Sequence, residues 1–358
     1  MKTLIERLVR PEVRALRAYH VPDATGLIKL DAMENPYVWP EDLRREWLEV
    51  LREVDVNRYP EPQAPGLQAV LRDAMGIPQD MALLLGNGSD ELIQMLALTV
   101  AKSGRTVLSV DPGFVMYRMI GLFAGMQYLG VPLHTPDFSL DVPGVLETIE
   151  RERPVLTFIA YPNNPTGNLF DAVAIERIIS ASPGLVIVDE AYAPFADASF
   201  LPRLGEWPNL LVMRTVSKMG LAGLRLGLLA GPAEWIEEVD KTRLPYNINV
   251  LTQVSAAFAL RHRTVFDEQT RRIRSERGRL FASLSALDGV RPYPSDANFI
   301  LLRLPTGRAP AVFDGLKAGG VLVKNLDGAH PSLADCLRVT VGRPEENDAF
   351  LRVLTAAL

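Results

Sequence analysis

The chain has 358 residues, room for about two domains and for a core that needs neither metal nor disulfide. Hydrophobic residues make up 48% and charged residues 23%, an ordinary globular balance that excludes a disordered or fibrous protein. Lys and Arg number 38 against 43 Asp and Glu, and the net charge of -5 lacks the basic excess that nucleic-acid binding needs. The single cysteine, Cys336, excludes an internal disulfide and every CxxC site, and it fits a reducing, cytoplasmic compartment. Glu6, Arg7 and Arg10 interrupt the first apolar stretch, which argues against a signal peptide. No run of about 18 apolar residues occurs, so no membrane-spanning segment is expected.

The first 30 or so residues are rich in Arg and Pro and poorly periodic, and they read as an arm. From Met81 onward short apolar runs alternate with helical spacing. ALLL (82–85) leads through GNGS into DELIQMLALTVA, and TVLSV (106–110) precedes the helix-like FVMYRMIGLFAG. VLTFIA (155–160), LVIVD (185–189), LLVMRT (210–215) and LRLGLLA (224–230) are continuous apolar runs bounded by turn residues. Strands apolar on both faces belong to a sheet covered by helices, so a mostly parallel α/β layer is expected. Residues 250–287 read as one long or two joined helices, with RRIRSER (271–277) as a solvated face. NFILLRL (298–304), a helix around 310–318, VLVKN (321–325), LRVTVG (337–342) and a helix from Glu345 suggest a smaller α+β unit. The expected division is 1–45 as an arm with part of the small domain, 46–245 as the large domain and 246–358 as the small one.

Four segments combine into a chemistry. GNGSDE (86–91) offers backbone N–H groups and a helix N-terminus to an anion, although by itself Ser89 or Asp90 could be a plain N-cap. YPNNPTG (161–167) forms a rigid turn at the edge of the sheet where α/β ligands bind, or simply a loop. Asp189 ends a buried strand, where a carboxylate needs a cation or several donors unless it caps the next helix. Lys218 follows an apolar strand, with Arg225 seven residues on; a sheltered lysine is a better nucleophile, and a surface lysine is the plain alternative. Together they supply an anion cradle, an Asn, a buried acid and a sheltered amine, which is what pyridoxal 5'-phosphate requires. His20, His134, His262 and His330 are scattered, so no metal site is expected.

The chain resembles the fold-type I pyridoxal-phosphate aminotransferases, and among them the histidinol-phosphate aminotransferases. The resemblance runs from VRALRAY (13–19) through RYPEP (58–62), GNGSDE, PGFVMY (112–117), YPNNPTG, DEAY (189–192), SKMGLAGLRLG (217–227), LPYNIN (244–249) and SDANF (295–299) to LRVTVGRPEEN (337–347). It implies a large, mostly parallel α/β/α sheet domain with a smaller α+β domain, and a homodimer with shared active sites. Lys218 would be the Schiff-base lysine and proton carrier, and Asp189 the partner of the ring nitrogen. Asn164 and Tyr192 would bind the ring's 3' oxygen, and Phe114 would stack on its face. Gly88, Ser89, Asp90, Ser217 and Arg225 would hold the phosphate, together with Tyr59 from the other subunit. Arg338 would take the anionic end of the substrate, with Tyr19, Asn164 and Lys324 nearby.

Two positions depart from the family pattern. SKMGLAGLR is one residue shorter than expected between Lys218 and Arg225, and Lys324 stands where an Arg is expected. The implied reaction moves the amino group of L-histidinol phosphate to 2-oxoglutarate, with only small molecules as ligands. The same resemblance admits an aromatic-amino-acid aminotransferase or a threonine-phosphate decarboxylase. A regulatory binding module of this fold would need a DNA-binding domain ahead of the sheet, and about 30 residues are too few for one.

Overall fold

The computed structural model describes residues 2–16, 18 and 21–358. Seven strands form the main sheet: β2 (Ala82–Gly86), β3 (Thr106–Asp111), β4 (Gln127–Pro132), β5 (Leu156–Ala160), β6 (Leu185–Asp189), β7 (Leu210–Thr215) and β8 (Gly227–Gly231). A short strand β1 (Ile28–Leu30) precedes them in the chain, and β9 (Arg291–Pro292), β10 (Phe299–Arg303), β11 (Val321–Asn325) and β12 (Cys336–Thr340) follow. The main sheet has the order β2-β8-β7-β6-β5-β3-β4. It is parallel except at β8, which runs against both β2 and β7. The expected mostly parallel α/β layer is therefore present.

The centre of the sheet explains the continuous apolar runs. Val186, Val188 and Val212 pack into one core, while Leu185, Ile187, Leu211 and Met213 pack into another on the opposite face. Successive side chains point to opposite faces, so a strand covered on both sides must be apolar at every position. Because β8 reverses twice, the C-terminal ends of β2, β3, β5, β6 and β7 all lie at one edge.

The second sheet has the order β1-β11-β12-β10-β9. β1 pairs in parallel with β11, Leu30 opposite Val323, which ties the N-terminal segment to the C-terminal sheet. The remaining pairs are antiparallel, and Lys324 on β11 lies opposite Arg338 on β12.

Two details differ from the sequence expectation, and one alternative it left open is decided. β8 starts at Gly227, not 224, because Ala222–Leu224 forms a 3-10 turn that ends at Arg225 in a left-handed conformation, φ +48°. Of the two readings of 250–287, the two joined helices hold: Val250–Arg261 and Arg263–Ser285, broken at His262. The basic run is solvated through Arg271 and Arg272, but Arg277 turns inward and donates to the carbonyls of Phe195 and Ala297 at 3.2 and 2.8 Å. No described helix is long and apolar enough to cross a membrane.

Candidate active site

A cavity of about 400 Å³ opens at the edge where the strands end. Its lining includes Ser89, Asp90, Phe114, Asn164, Asp189, Tyr192, Ser217, Lys218 and Arg225. Most arrive from the segment after a strand: Ser89 and Asp90 after β2, Phe114 after β3, Asn164 after β5 and Lys218 after β7. Asp189 is the last residue of β6.

The GNGSDE turn is shaped by glycine. Gly88, with φ +82°, is the N-cap of the helix Ser89–Val100, so neither Ser89 nor Asp90 takes that role. A Cβ on Gly88 would lie 2.5 Å from Arg225 Nη2, and one on Gly227 would lie 2.7 Å from the Ser89 nitrogen. Two glycines thus bring the helix N-terminus and the Arg225 guanidinium together. The short SKMGLAGLR segment still delivers Arg225, through two 3-10 turns with Gly220 at φ +123° between them. Asn247, in the YNIN motif, braces the turn by donating to the Leu85 carbonyl and to Glu91 at 3.1 and 2.7 Å.

Asp189 is 4% exposed, and its carboxylate accepts from the Tyr117 hydroxyl at 2.6 Å and from the Ala191 N–H at 3.1 Å. Burial outweighs these two donors and lifts its pKa to about 6. It caps no helix, since the following 3-10 turn begins beyond Tyr192. Lys218 is partly buried and its amine donates to the Ala32 carbonyl at 3.3 Å. Burial lowers its pKa to about 8, helped by the nearby Arg338 guanidinium and opposed by Glu34. The plain alternative of a surface lysine does not hold.

In the lining, Asn164 donates to the Tyr192 hydroxyl at 3.1 Å and accepts at 2.5 Å from Nη1 of Arg338, which stands behind it and does not itself line the cavity. Arg338 is 7% exposed, and its Nη2 donates to the Asp31 carbonyl at 3.0 Å. Ser217 is held by Thr215, whose hydroxyl oxygen accepts the Ser217 N–H at 3.1 Å.

Two further expected residues do not line the cavity, and another is not among the described residues. Tyr59 is 80% exposed and stacks on Tyr246, with ring centroids 4.4 Å apart, away from this cavity. Lys324 is beside Arg338 in the strand register but does not line the cavity. Tyr19 falls outside the described residues. Reading the sequence by itself missed Tyr117, Asn247 and Ala32. PGFVMY and YNIN were recognisable motifs, but nothing in them indicated which side chains brace the acid and the anion turn.

The family model for aminotransferase class I and II matches residues 25–354. Histidinol-phosphate aminotransferase 2 of Nitrosococcus oceani is 57% identical over 355 residues, covering 99% of this chain and 98% of that protein. The chain belongs to the histidinol-phosphate aminotransferases of this family. A second such aminotransferase, from Cupriavidus pinatubonensis, is 53% identical over 361 residues, with 99% and 98% covered. The crystal structure of histidinol-phosphate aminotransferase from Sinorhizobium meliloti in complex with pyridoxal-5'-phosphate superposes with a TM-score of 0.87 at 23% identity, covering 98% of this chain and 97% of that one. The last likeness concerns the fold. The aminotransferase cavity described above therefore lies where the strands of this fold end.

Proposed function

We propose that this aminotransferase converts L-histidinol phosphate to imidazole acetol phosphate in histidine biosynthesis, with 2-oxoglutarate as amino acceptor. One observation carries the substrate reading, the 57% identity over nearly the whole chain to a histidinol-phosphate aminotransferase, and the cavity carries the cofactor: a buried carboxyl and a sheltered amine share it beside a glycine-made anion cradle. Pyridoxal phosphate fits that donor set, because a cationic ring nitrogen would stabilise the buried Asp189 carboxylate. When bound, it supplies an electron sink for the carbanion that forms when the substrate Cα loses its proton.

The residues then have distinct tasks. Asp189 keeps the ring nitrogen protonated. Ser89, Asp90, Ser217 and Arg225 hold the phosphate, the first two at a helix N-terminus. Asn164 and Tyr192 bind the 3' oxygen, and Phe114 lies against the ring face. Lys218 holds the cofactor covalently between turnovers and, once released, carries a proton to and from the substrate Cα. Its lowered pKa leaves much of the amine neutral near pH 8, as a base must be. Arg338 binds the anionic end of the substrate, with Tyr19, Asn164 and Lys324 around it. Since one site serves donor and acceptor in turn, the kinetics are ping-pong.

Gly88→Ala tests the anion cradle. The new Cβ displaces the Arg225 guanidinium, and a left-handed backbone disfavours alanine. Cofactor affinity falls about tenfold in equilibrium dialysis, the effect of one lost charge-assisted contact. Thermal unfolding registers a loss of about 1–2 kcal/mol.

We further propose a cytoplasmic homodimer, in which 46–245 is the cofactor-binding domain and 1–45 with 246–358 form the small one. Exposed Tyr59 completes the phosphate site of the partner. Mixing Lys218→Ala with Tyr59→Ala protein regenerates one intact site per hybrid dimer, so activity exceeds that of either variant; no gain on mixing contradicts the shared site.

The substrate is tested by comparing kcat/KM for histidinol phosphate, phenylalanine and threonine phosphate. Histidinol phosphate ranks first. Preference for phenylalanine, or release of CO₂ from threonine phosphate, overturns the assignment.

A further inference from the structure

Tyr117 has no part in the tasks above, yet it makes the shortest contact to the central acid. It lies in the helix Val115–Phe123, is 1% exposed, and donates its hydroxyl to Asp189 Oδ2 at 2.6 Å. Its ring is stacked on Phe158 of β5, centroids 4.6 Å apart and planes 9° from parallel. Phe114 meets it edge-on at 5.4 Å and 84°. Packing on two sides fixes the ring, which leaves the hydroxyl one direction. Burial and the neighbouring carboxylate hold the Tyr117 pKa well above the ordinary value, so the phenol stays a donor.

A phenylalanine would fill the same space and carry no polar atom of its own to satisfy. A phenol here costs desolvation unless its hydroxyl acts. A donor aimed at a carboxylate fixes its orientation and favours its charged form, against the burial that favours the neutral acid. With Oδ1 held by the Ala191 N–H, the Asp189 carboxylate is clamped at both oxygens.

We propose that Tyr117 is the positioning residue of this site: it aims the Asp189 carboxylate and keeps it ionised, so that a cationic ring nitrogen meets a charged, oriented partner. This rests on the role given to Asp189. Tyr117 touches neither substrate nor the reacting atoms and acts only through the acid.

The test uses the holoenzyme with Tyr117→Phe, which removes one oxygen and keeps both ring contacts, and compares it with Tyr117→Leu and Asp189→Asn. For Tyr117→Phe, kcat falls about tenfold to a hundredfold, the scale of one hydrogen bond to a charged group. KM for the amino donor stays within about twofold, because substrate contacts are untouched. The cofactor dissociation constant rises about tenfold. The melting temperature falls far less than in Tyr117→Leu, which loses the ring packing as well. Wild-type kcat and cofactor affinity in Tyr117→Phe, alongside a crippled Asp189→Asn, overturn the proposal and leave the reading of Asp189 standing. So does a Tyr117→Phe protein that melts as low as Tyr117→Leu, since its phenol is then structural. An Asp189→Asn enzyme of wild-type kcat and affinity overturns the role of the acid and the proposal with it.

Discussion

Lys218→Ala loses transamination by at least about a thousandfold, because the proposed mechanism makes one side chain both covalent anchor and proton carrier. The visible absorbance of the bound cofactor is lost or displaced in the same variant. The remaining site groups still bind the cofactor's phosphate and ring, so some cofactor stays associated and the defect is chemical. An unchanged visible spectrum contradicts the assignment.

The same lysine makes a second, opposite prediction for stability. Its folded pKa of about 8 lies below the ordinary 10.5, so between those values the folded chain binds fewer protons than the unfolded one. Stability therefore rises with pH through that window. Below pH 8 the buried amine must be charged, at a cost of about 3 kcal/mol. Lys218→Met keeps the apolar stem and removes that cost. Without bound cofactor, this variant melts above wild type at pH 7, and the difference vanishes above about pH 10.5. A melting temperature below wild type at pH 7 contradicts a desolvated amine. The active site thus trades stability for a usable base.

Arg338→Ala carries the second large effect. This buried guanidinium donates to Asn164 Oδ1 and to the Asp31 carbonyl, and its removal strands both acceptors as well as the substrate's anionic group. Truncating one partner of a buried charged pair costs several kcal/mol, so kcat/KM falls about a hundredfold or more. On the proposed role of Arg338 for both substrates, the half-reactions with histidinol phosphate and with 2-oxoglutarate fall together. The cofactor spectrum stays close to wild type. A fall confined to one substrate contradicts the shared role. Arg338→Lys recovers part of the loss, since a point charge still attracts an anion but lacks the two-pronged geometry.

How far the sequence could be read follows from burial. β6 and β7 were delimited at the observed residues because both are buried at nearly every position and end where polar residues begin. β4 was not recognised: it is an edge strand, half-exposed along most of its length, and QYLGVP carries neither an unbroken apolar run nor strict alternation. β1 was hidden too, as three residues whose pairing partner lies almost 300 positions away. The candidate cofactor residues were recognisable because they stand at or just after strand ends, where residue type is restricted by chemistry. The Tyr117–Asp189 contact was not, since it joins positions 72 residues apart through the packing of a helix on the sheet. Local patterning specified the strands and their turns. Which side chains meet across the cavity is decided by sheet order, which no local pattern encodes.

The central claim is that Lys218 and no other residue holds the cofactor. Borohydride reduction of the holoenzyme, followed by digestion and mass spectrometry, reads this directly. The account predicts one peptide carrying the added mass of the reduced cofactor, with the modification on Lys218. Modification of another lysine, or recovery of the Lys218 peptide unmodified from fully loaded enzyme, would contradict it.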